Sequence, residues 1–298
     1  MESAEQLTMN LLIDRFQKIS ELEKEIEVST RNALTEDIGS GDISAALIPD
    51  GLSLDAVTIT RSKGVFCGAA WVEAIIRQVD HALTVEWSVA DGDKIQADQA
   101  LFVLKGPGRG ILTAERTILN FVQLLSGTAT TVSEYLELLG DSHCVLLDTR
   151  KTVPGLRLAQ KYAVICGGGT NHRFGLDDAF LLKENHISAA GSIKDAILLA
   201  RTHRPDMSVQ VEVESIEELE EAIESGAQSA LLDNFSMDEL ALASKKAKNK
   251  IKTEASGNVS TETIAEIAKT GVDFISVGNL TKTVQPLDLS MRCEAHRQ

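Results

Sequence analysis

The residues of this chain that could do chemistry are concentrated in its second half. Five of the basic side chains between positions 150 and 183 are candidates for a binding site, namely Arg150, Lys151, His172, Arg173 and Lys183. Arginine offers a planar fork that matches a carboxylate or a phosphate, and lysine adds a compact positive charge. If these groups converge from different loops, they form a binding site for a polyanion.

Carboxylates follow the basic cluster along the chain. Glu212 and Glu214 lie two residues apart on one expected strand and therefore share a face, and Asp233 ends the next expected strand. Mg²⁺ prefers one or two carboxylates together with phosphate oxygens. The pattern indicates a Mg²⁺ ion that carries a pyrophosphate, but either glutamate could instead be a structural salt-bridge partner.

Two glycine-containing segments follow the last two expected strands. They are Ser256-Gly257-Asn258 and Gly278-Asn279, and each precedes a possible helix start at Ser260 or Thr261 and at Thr281. Glycine lets the backbone approach a ligand closely, and a helix N-terminus favours an anion. The pattern is typical of a phosphate pocket in an α/β barrel.

Lys183 admits a second chemistry. A lysine at a barrel strand end can lose its proton and act as a Schiff-base nucleophile, as in aldolases. By contrast, no expected strand is followed by a G-x-x-x-x-G-K-[ST] or G-x-G-x-x-G loop, so a nucleoside triphosphate or dinucleotide site is not predicted.

Six short apolar runs must position these residues, and each run ends in polar residues. The runs are 145–147, 179–182, 209–211, 230–232, 251–253 and 274–277, with helical patterns such as 192–201, 216–225 and 261–269 between them. Alternating strands and helices predict a parallel sheet, and strands this short and evenly spaced favour a closed or nearly closed α/β barrel. The active site of such a barrel lies at the carboxyl ends of its strands.

The first half of the chain has a different pattern. Short β-rich runs occur at 57–60, 83–87 and 100–104, with a helix expected over 71–79. A further helix is expected from Thr113, its N-cap candidate, to Leu125. We therefore predict an N-terminal α+β domain over residues 1–125 and an α/β-barrel catalytic domain over 126–286, with a tail, 287–298, that returns to the first domain.

Composition narrows the class of protein. Hydrophobic residues make up 43% of the chain and charged residues 24%, which is typical of a globular protein. The net charge of −15 argues against nucleic acid as a partner, yet Lys and Arg outnumber Asp and Glu by six to four between positions 148 and 186. No apolar run approaches the ~20 residues of a membrane helix, so we expect a cytoplasmic protein without a membrane partner.

Three segments carry a resemblance to a known family. Asp148-Thr149-Arg150-Lys151-Thr152-Val153-Pro154-Gly155-Leu156-Arg157, Lys161-Tyr162-Ala163-Val164 and Gly167-Gly168-Gly169-Thr170-Asn171-His172-Arg173 resemble the core signature of the quinolinate phosphoribosyltransferases, the carboxylating nicotinate-nucleotide pyrophosphorylases. Further family-like motifs, in family order, include Leu182-Lys183-Glu184-Asn185-His186, Leu232-Asp233-Asn234 and Ser256-Gly257-Asn258. The resemblance runs from about Ala33 to Asp288, and Val153, where the family has threonine, is its one departure in the core signature.

The resemblance implies an α/β fold, an incomplete barrel of parallel strands with a smaller N-terminal α+β domain. It also implies transfer of phosphoribosyl from phosphoribosyl pyrophosphate to quinolinate with loss of CO₂, giving nicotinate mononucleotide and pyrophosphate for NAD biosynthesis. Two alternatives stay open at this point. One is a phosphoribosyltransferase for another pyridine or aromatic acid such as nicotinate, and the other is the aldolase based on Lys183.

The resemblance implies roles for individual residues as well. Those expected to bind quinolinate are Arg116, Thr149, Arg150, His172, Arg173 and Lys183, with Arg116 supplied by the neighbouring subunit of a homodimer or higher oligomer. Those expected to bind phosphoribosyl pyrophosphate are Lys151, Glu214, Asp233, Ser256, Gly257, Asn258 and Gly278. The catalytic set would be Lys151, Lys183, Glu214 and Asp233. Mg²⁺ would lie near Glu214 and Asp233, and no organic cofactor is expected.

Overall fold

The structure is a computed structural model that describes Phe16 and residues 18–296. Its residues fall into two compact units. Unit 1 comprises the described residues up to Ser133, the segment Thr152–Gly168 and the described residues from Leu280 onward; unit 2 comprises Glu134–Lys151 and Gly169–Asn279. Residues 1–15, 17, 297 and 298 of the predicted domains lie outside the described part, and the predicted boundaries stay predictions.

Unit 1 is built on an antiparallel sheet. Its strands are β1 (Ser53–Thr60), β2 (Gly64–Val65), β3 (Thr84–Trp87), β4 (Lys94–Ile95), β5 (Ala100–Pro107) and β12 (Leu289–His296). Four of them form one sheet in the order β12-β1-β5-β3, and β2 pairs with β4. Residues near the C-terminus thus pair along the whole length of β1, from Ser53 opposite His296 to Thr60 opposite Leu289.

The helices of unit 1 include one that is longer than the sequence predicts. They are α1 (Ile19–Ile38), α2 (Ala69–Val79), α3 (Gly108–Leu139, which continues into unit 2) and α4 (Arg157–Cys166). The predicted helix from Thr113 to Leu125 was wrong at both ends. Thr113 is not the N-cap, because α3 already begins at Gly108. Thr113 lies within the helix, where its hydroxyl donates to Asp42 at 3.0 Å. Ser126-Gly127 does not end α3, since Ser126 binds the backbone of Cys67 and a side chain at position 127 would collide with the carbonyl of Gln285.

Unit 2 contains a six-stranded parallel sheet with helices between the strands. The strands are β6 (Val145–Leu147), β7 (Phe180–Leu182), β8 (Val209–Val213), β9 (Ser229–Asp233), β10 (Lys252–Ser256) and β11 (Phe274–Ser276). The helices are α5 (Glu184–Ala190), α6 (Ile193–His203), α7 (Ile216–Glu224), α8 (Met237–Ala247), α9 (Ile264–Lys269) and α10 (Asn279–Lys282), of which the last continues into unit 1.

The strand order is that of a ring opened at one place. It runs β6-β11-β10-β9-β8-β7, so successive strands from β7 to β11 are neighbours and β6 follows β11. The two ends of the order, β6 and β7, are where a closed barrel would join. The expected incomplete α/β barrel with a smaller antiparallel domain is confirmed. None of the helices in the described part of the chain is long and apolar enough to cross a membrane.

Strand β10 extends further than its apolar run. The sequence predicts that the fifth run ends at Thr253, which puts Glu254 in the following loop. In the structure β10 continues to Ser256, and Glu254 pairs with Leu231 on one side and with Phe274 on the other. Neighbouring strands on both sides satisfy the backbone there, so the chain stays extended through a charged residue.

Candidate active site

A cavity of about 610 Å³ lies at the carboxyl ends of the parallel strands of unit 2. Every strand of the barrel or the loop after it contributes to its wall. The lining residues are Thr149, Arg150, Lys151, His172, Arg173, Leu181, Lys183, Glu212, Leu231, Asp233, Asn234, Glu254, Ser256, Gly257, Asn258 and Ser276. The cavity therefore stands where an active site is expected in an α/β barrel.

Ten of the residues singled out from the sequence line this one cavity. They are Thr149, Arg150, Lys151, His172, Arg173, Lys183, Asp233, Ser256, Gly257 and Asn258. Three others do not line it. Glu214 is an exposed residue beyond the end of β8, Gly278 lies behind Lys151, and Arg116 is an exposed residue of α3 in unit 1.

The cationic side of the cavity brings two guanidinium groups together. Arg173 is partly buried, and its Nη1 donates to the carbonyl of Ala179 at 3.1 Å. Burial, and then the positive charge of Arg150, lower the pKa of Arg173 from its usual value, while Asp178 acts in the opposite direction. Two like charges held close together in a partly dry site favour the binding of an anion between them.

Lys151 and Gly278 are matched in shape. The backbone N–H of Lys151 donates to Thr149 Oγ1 at 3.1 Å, which fixes the turn after β6. A side chain added at position 278 would place its Cβ 2.9 Å from Lys151 Cδ. Glycine at 278 therefore leaves room for the stem of Lys151. Gly278 supports the lysine and is not itself part of the cavity wall.

The acidic side of the cavity contains Glu212 rather than Glu214. Glu212 is 11% exposed, and its Oε2 accepts from Lys183 Nζ. Glu214 directs its backbone N–H to Glu218 at 2.8 Å, in the loop that leads into α7. Of the two acids that the sequence left undecided, the geometry brings only Glu212 to the basic residues.

The ends of β9 and β10 are tied to each other. The backbone N–H of Asn234 donates to the carbonyl of Ser256 at 3.0 Å, and Asn258 Nδ2 donates to Asn234 Oδ1 at 3.2 Å. Gly257 has a φ of +94°, and a Cβ there would collide with Asn234. The glycine is therefore required by its conformation and by the close approach of Asn234. The helix after this turn, α9, begins only at Ile264, later than the predicted start.

Two buried acids next to the predicted site residues were given no role by the sequence reasoning. Glu254 is 2% exposed, and Gln210 Nε2 donates to its Oε2 at 2.8 Å. Asp148 is fully buried and accepts from the backbone N–H of His172 at 2.8 Å and from Asn171 Nδ2 at 2.7 Å. Strand β8, Val209-Gln210-Val211-Glu212-Val213, carried a usable signal, because polar residues alternate with buried valines and must face the barrel interior.

Burial alone would raise the pKa of Glu254. The hydrogen bond from His172, with those from Ser276 and Gln210, outweighs burial and leaves the pKa below its usual value. A buried carboxylate thus stays ionised under a ring of cationic side chains. The cavity as a whole can bind a substrate with several negative charges and can also stabilise a developing positive charge beside Glu212 and Asp233.

Two family models match successive parts of the chain. Residues 128–292 match the family model for the quinolinate phosphoribosyl transferase C-terminal domain, and residues 42–126 match that for the N-terminal domain. A Bacillus subtilis (strain 168) protein named probable nicotinate-nucleotide pyrophosphorylase (carboxylating) is 41% identical over 257 residues, which cover 86% of this chain and 89% of that protein. The carboxylating nicotinate-nucleotide pyrophosphorylase of Mycobacterium leprae is 38% identical over 88% of this chain and 94% of its own.

Solved structures agree with these relatives. The nicotinate-nucleotide pyrophosphorylase from Francisella tularensis is 46% identical and superposes with a TM-score of 0.88, covering 91% of this chain and 97% of its own. Human nicotinic acid phosphoribosyltransferase is 13% identical with a TM-score of 0.63, covering 81% of this chain and 70% of its own, so that likeness shows the fold alone.

Proposed function

The chain belongs to the quinolinate phosphoribosyltransferase family, and from that premise we propose that it transfers phosphoribosyl from phosphoribosyl pyrophosphate to quinolinate with release of CO₂. The products are nicotinate mononucleotide and pyrophosphate, so the enzyme is a pentosyltransferase of NAD biosynthesis. The observation that carries the proposal is the convergence of four cationic residues opposite two carboxylates in one barrel cavity.

The cationic residues account for the acid substrate. Arg150 and Arg173 offer two planar forks, which match the two carboxylates of quinolinate, and Lys183 adds a compact charge next to them. Lys151 and the turn Ser256-Gly257-Asn258 remain for the phosphates of the second substrate. In this assignment Thr149 keeps the supporting contact to Lys151 that the structure shows.

The donor set also fits Mg²⁺. Glu212 and Asp233 both line the cavity and offer carboxylate oxygens, which are the ligands that Mg²⁺ prefers beside phosphate oxygens. We assign Glu212, in place of Glu214, to this role together with Asp233. When bound, the ion would neutralise charge on the departing pyrophosphate. We propose no organic cofactor.

The reaction breaks two bonds and forms two. The bond from ribose C1 to the pyrophosphate oxygen breaks, and its electron pair leaves with pyrophosphate. The lone pair of the pyridine nitrogen then forms the new bond to C1. The bond from C2 to its carboxylate breaks, CO₂ departs, the electron pair stays on the ring beside the positive nitrogen, and C2 takes a proton from solvent. Glu212 and Asp233 stabilise positive charge on the ribose, and the arginines orient the ring.

The other readings of the site lose support. An aldolase needs the Lys183 amine free to attack a carbonyl carbon, but Nζ of Lys183 donates to Glu212. A single carboxylate, as in nicotinate, would use only one of the two guanidinium groups. We further propose a cytoplasmic homodimer in which Arg116 of the neighbouring subunit completes the quinolinate site.

The test is an assay of the pure protein with quinolinate, phosphoribosyl pyrophosphate and Mg²⁺, in which nicotinate mononucleotide and CO₂ are measured together. We expect equal amounts of both products, and loss of both when a chelator removes Mg²⁺. A parallel assay with nicotinate serves as the control for substrate choice. Consumption of nicotinate with no product from quinolinate would refute the proposed substrate.

A further inference from the structure

Three polar side chains meet at the wall of the cavity in unit 2. Glu254 Oε2 lies 3.2 Å from His172 Nε2 and accepts from Gln210 Nε2 at 2.8 Å. Gln210 Oε1 also lies 3.2 Å from His172 Nε2. Because both oxygens face the same ring nitrogen, His172 Nε2 must be a donor and must carry a proton.

The other nitrogen of the imidazole is held from the opposite side. The backbone N–H of Arg173 donates to His172 Nδ1 at 2.7 Å. A nitrogen that accepts a hydrogen bond needs its lone pair. A proton on Nδ1 would point at the backbone N–H of Arg173, which is itself a donor. The contacts therefore select the neutral imidazole with its proton on Nε2, and both ring nitrogens are engaged within the protein.

The segment that carries Arg173 is fastened at further points. The backbone N–H of His172 donates to the buried Asp148 at 2.8 Å, and Arg173 Nη1 donates to the carbonyl of Ala179 at 3.1 Å. The guanidinium of Arg173 is thus directed toward the cavity wall that it shares with Arg150. The main-chain N–H of Arg173 is held by the imidazole.

We infer that Glu254 is a positioning residue, which acts through the tautomer of His172 on Arg173. Its carboxylate keeps the proton on Nε2 and so keeps Nδ1 as the acceptor that orients the Arg173 backbone. The inference rests on the proposed function in one respect, because Arg173 is taken to bind a carboxylate of quinolinate. The resemblance predicts that His172 binds quinolinate directly. In this inference His172 instead supports the backbone of Arg173.

Kinetics of Glu254→Gln test the inference. The amide keeps the shape but removes the charge that favours the Nε2 proton. We expect KM for quinolinate to rise about tenfold and kcat to fall by less, with KM for phosphoribosyl pyrophosphate changed by less than about twofold. The matched control is Thr253→Val on the same strand, which should leave KM for quinolinate within about twofold of the wild type. Equal effects on the KM values of both substrates would overturn the inference.

A double variant tests whether Glu254 acts through His172. His172→Asn can still offer an acceptor near the Nδ1 position, but its shorter side chain no longer reaches Glu254. In that background Glu254→Gln should change KM for quinolinate by less than about twofold. If the two effects instead multiply, Glu254 acts independently of the imidazole, and the inference fails.

A third measurement does not depend on turnover. ¹⁵N NMR of histidine-labelled wild-type protein without substrate should show, for the ring of His172 at neutral pH, one protonated nitrogen, Nε2, and one unprotonated nitrogen, Nδ1. A charged ring, or a proton on Nδ1, would overturn the inference even in an active enzyme. The expected tautomer in a protein that does not convert quinolinate would instead refute the proposed function and leave the positioning of Arg173 intact. This experiment needs no variant and so stands even where a variant fails to fold.

Discussion

Glu212 and Glu214 have the same side chain and lie two residues apart, yet the structure places them differently. Glu212 belongs to β8, where alternation directs it into the barrel and toward Lys183. Glu214 follows the last residue of the strand and is exposed. Alternation holds only while the backbone stays extended, so the end of β8 separates a cavity residue from a loop residue.

This difference gives a paired prediction. Glu212→Gln should lower kcat/KM by about 100-fold, because it removes a charge placed beside the ribose and the partner of Lys183. Glu214→Gln, the same change on the same stretch of chain, should stay within about threefold of the wild type. Steady-state kinetics with both substrates measure the two effects. A larger loss in Glu214→Gln than in Glu212→Gln would contradict the assignment.

The cationic residues of the cavity could be found from the sequence, whereas the buried Glu254 could not. Arg150, Lys151 and Lys183 follow apolar runs, and strand ends are where barrel sites lie. Glu254 lies within a strand, and its burial depends on contacts with Gln210 and His172, which come from distant parts of the chain. Only the assembled barrel brings these polar groups into contact.

The start of helix α2 depends on one buried carboxylate, that of Asp91. Asp91 Oδ1 accepts from the backbone N–H groups of Gly68 at 2.8 Å and Ala69 at 3.1 Å, and Tyr162 donates to its Oδ2 at 2.9 Å. Asp91 is fully buried, and this burial raises its pKa in spite of the three hydrogen bonds. The carboxylate thus supports the helix but is costly to keep ionised.

The raised pKa of Asp91 predicts how stability depends on pH. The folded protein holds the Asp91 proton more tightly than the unfolded chain, so wild-type stability falls as pH rises from the unfolded pKa through the folded one. Asp91→Asn can still accept both N–H groups but has no proton to lose. Its stability relative to the wild type should therefore improve as pH rises through that window, as measured by urea unfolding at several pH values.

The control is Asp91→Ala, which leaves two buried N–H groups without their acceptor. It should cost about 1–3 kcal/mol of unfolding free energy at every pH in the same series. A stability difference between Asp91→Asn and the wild type that is constant with pH would show that Asp91 does not titrate as inferred.

Helices and strands were predicted well where the local sequence pattern determines them. They were predicted poorly where packing determines their length. Each apolar run of the second half became a barrel strand, since short runs flanked by turns have few alternatives. The extent of α3 was wrong because Ser126-Gly127 looks like a break. In the structure the same residues allow the helix to pass close to Gln285 and to bind Cys67.

Arg116 is the one predicted site residue that belongs to unit 1. It is an exposed cation of α3 in unit 1, while the cavity is formed by residues of unit 2. The family resemblance assigns Arg116 to the site of a neighbouring subunit. Neither its exposure nor its neighbours in sequence identify that role, which rests on the resemblance alone.

Subunit mixing tests this shared site. Arg116→Ala and Lys183→Ala homodimers should each lose most activity. A mixed dimer has one site that combines an intact Arg116 with an intact Lys183, so purified heterodimers should regain about a quarter to a half of the wild-type kcat. Differently tagged subunits allow their isolation, and mixed dimers of two wild-type chains are the control. Heterodimers as inactive as their parents would exclude the shared arrangement.

The pairing of β12 with β1 has a consequence for biosynthesis. A ribosome makes β1 early and β12 last among the strands, and until then β1 is the open edge of its sheet. All strands of the barrel are made in the interval, so the later-made unit can close before the earlier one. The edge of β1 therefore stays unpaired while the barrel strands are made, and an unpaired strand edge favours aggregation of the nascent chain.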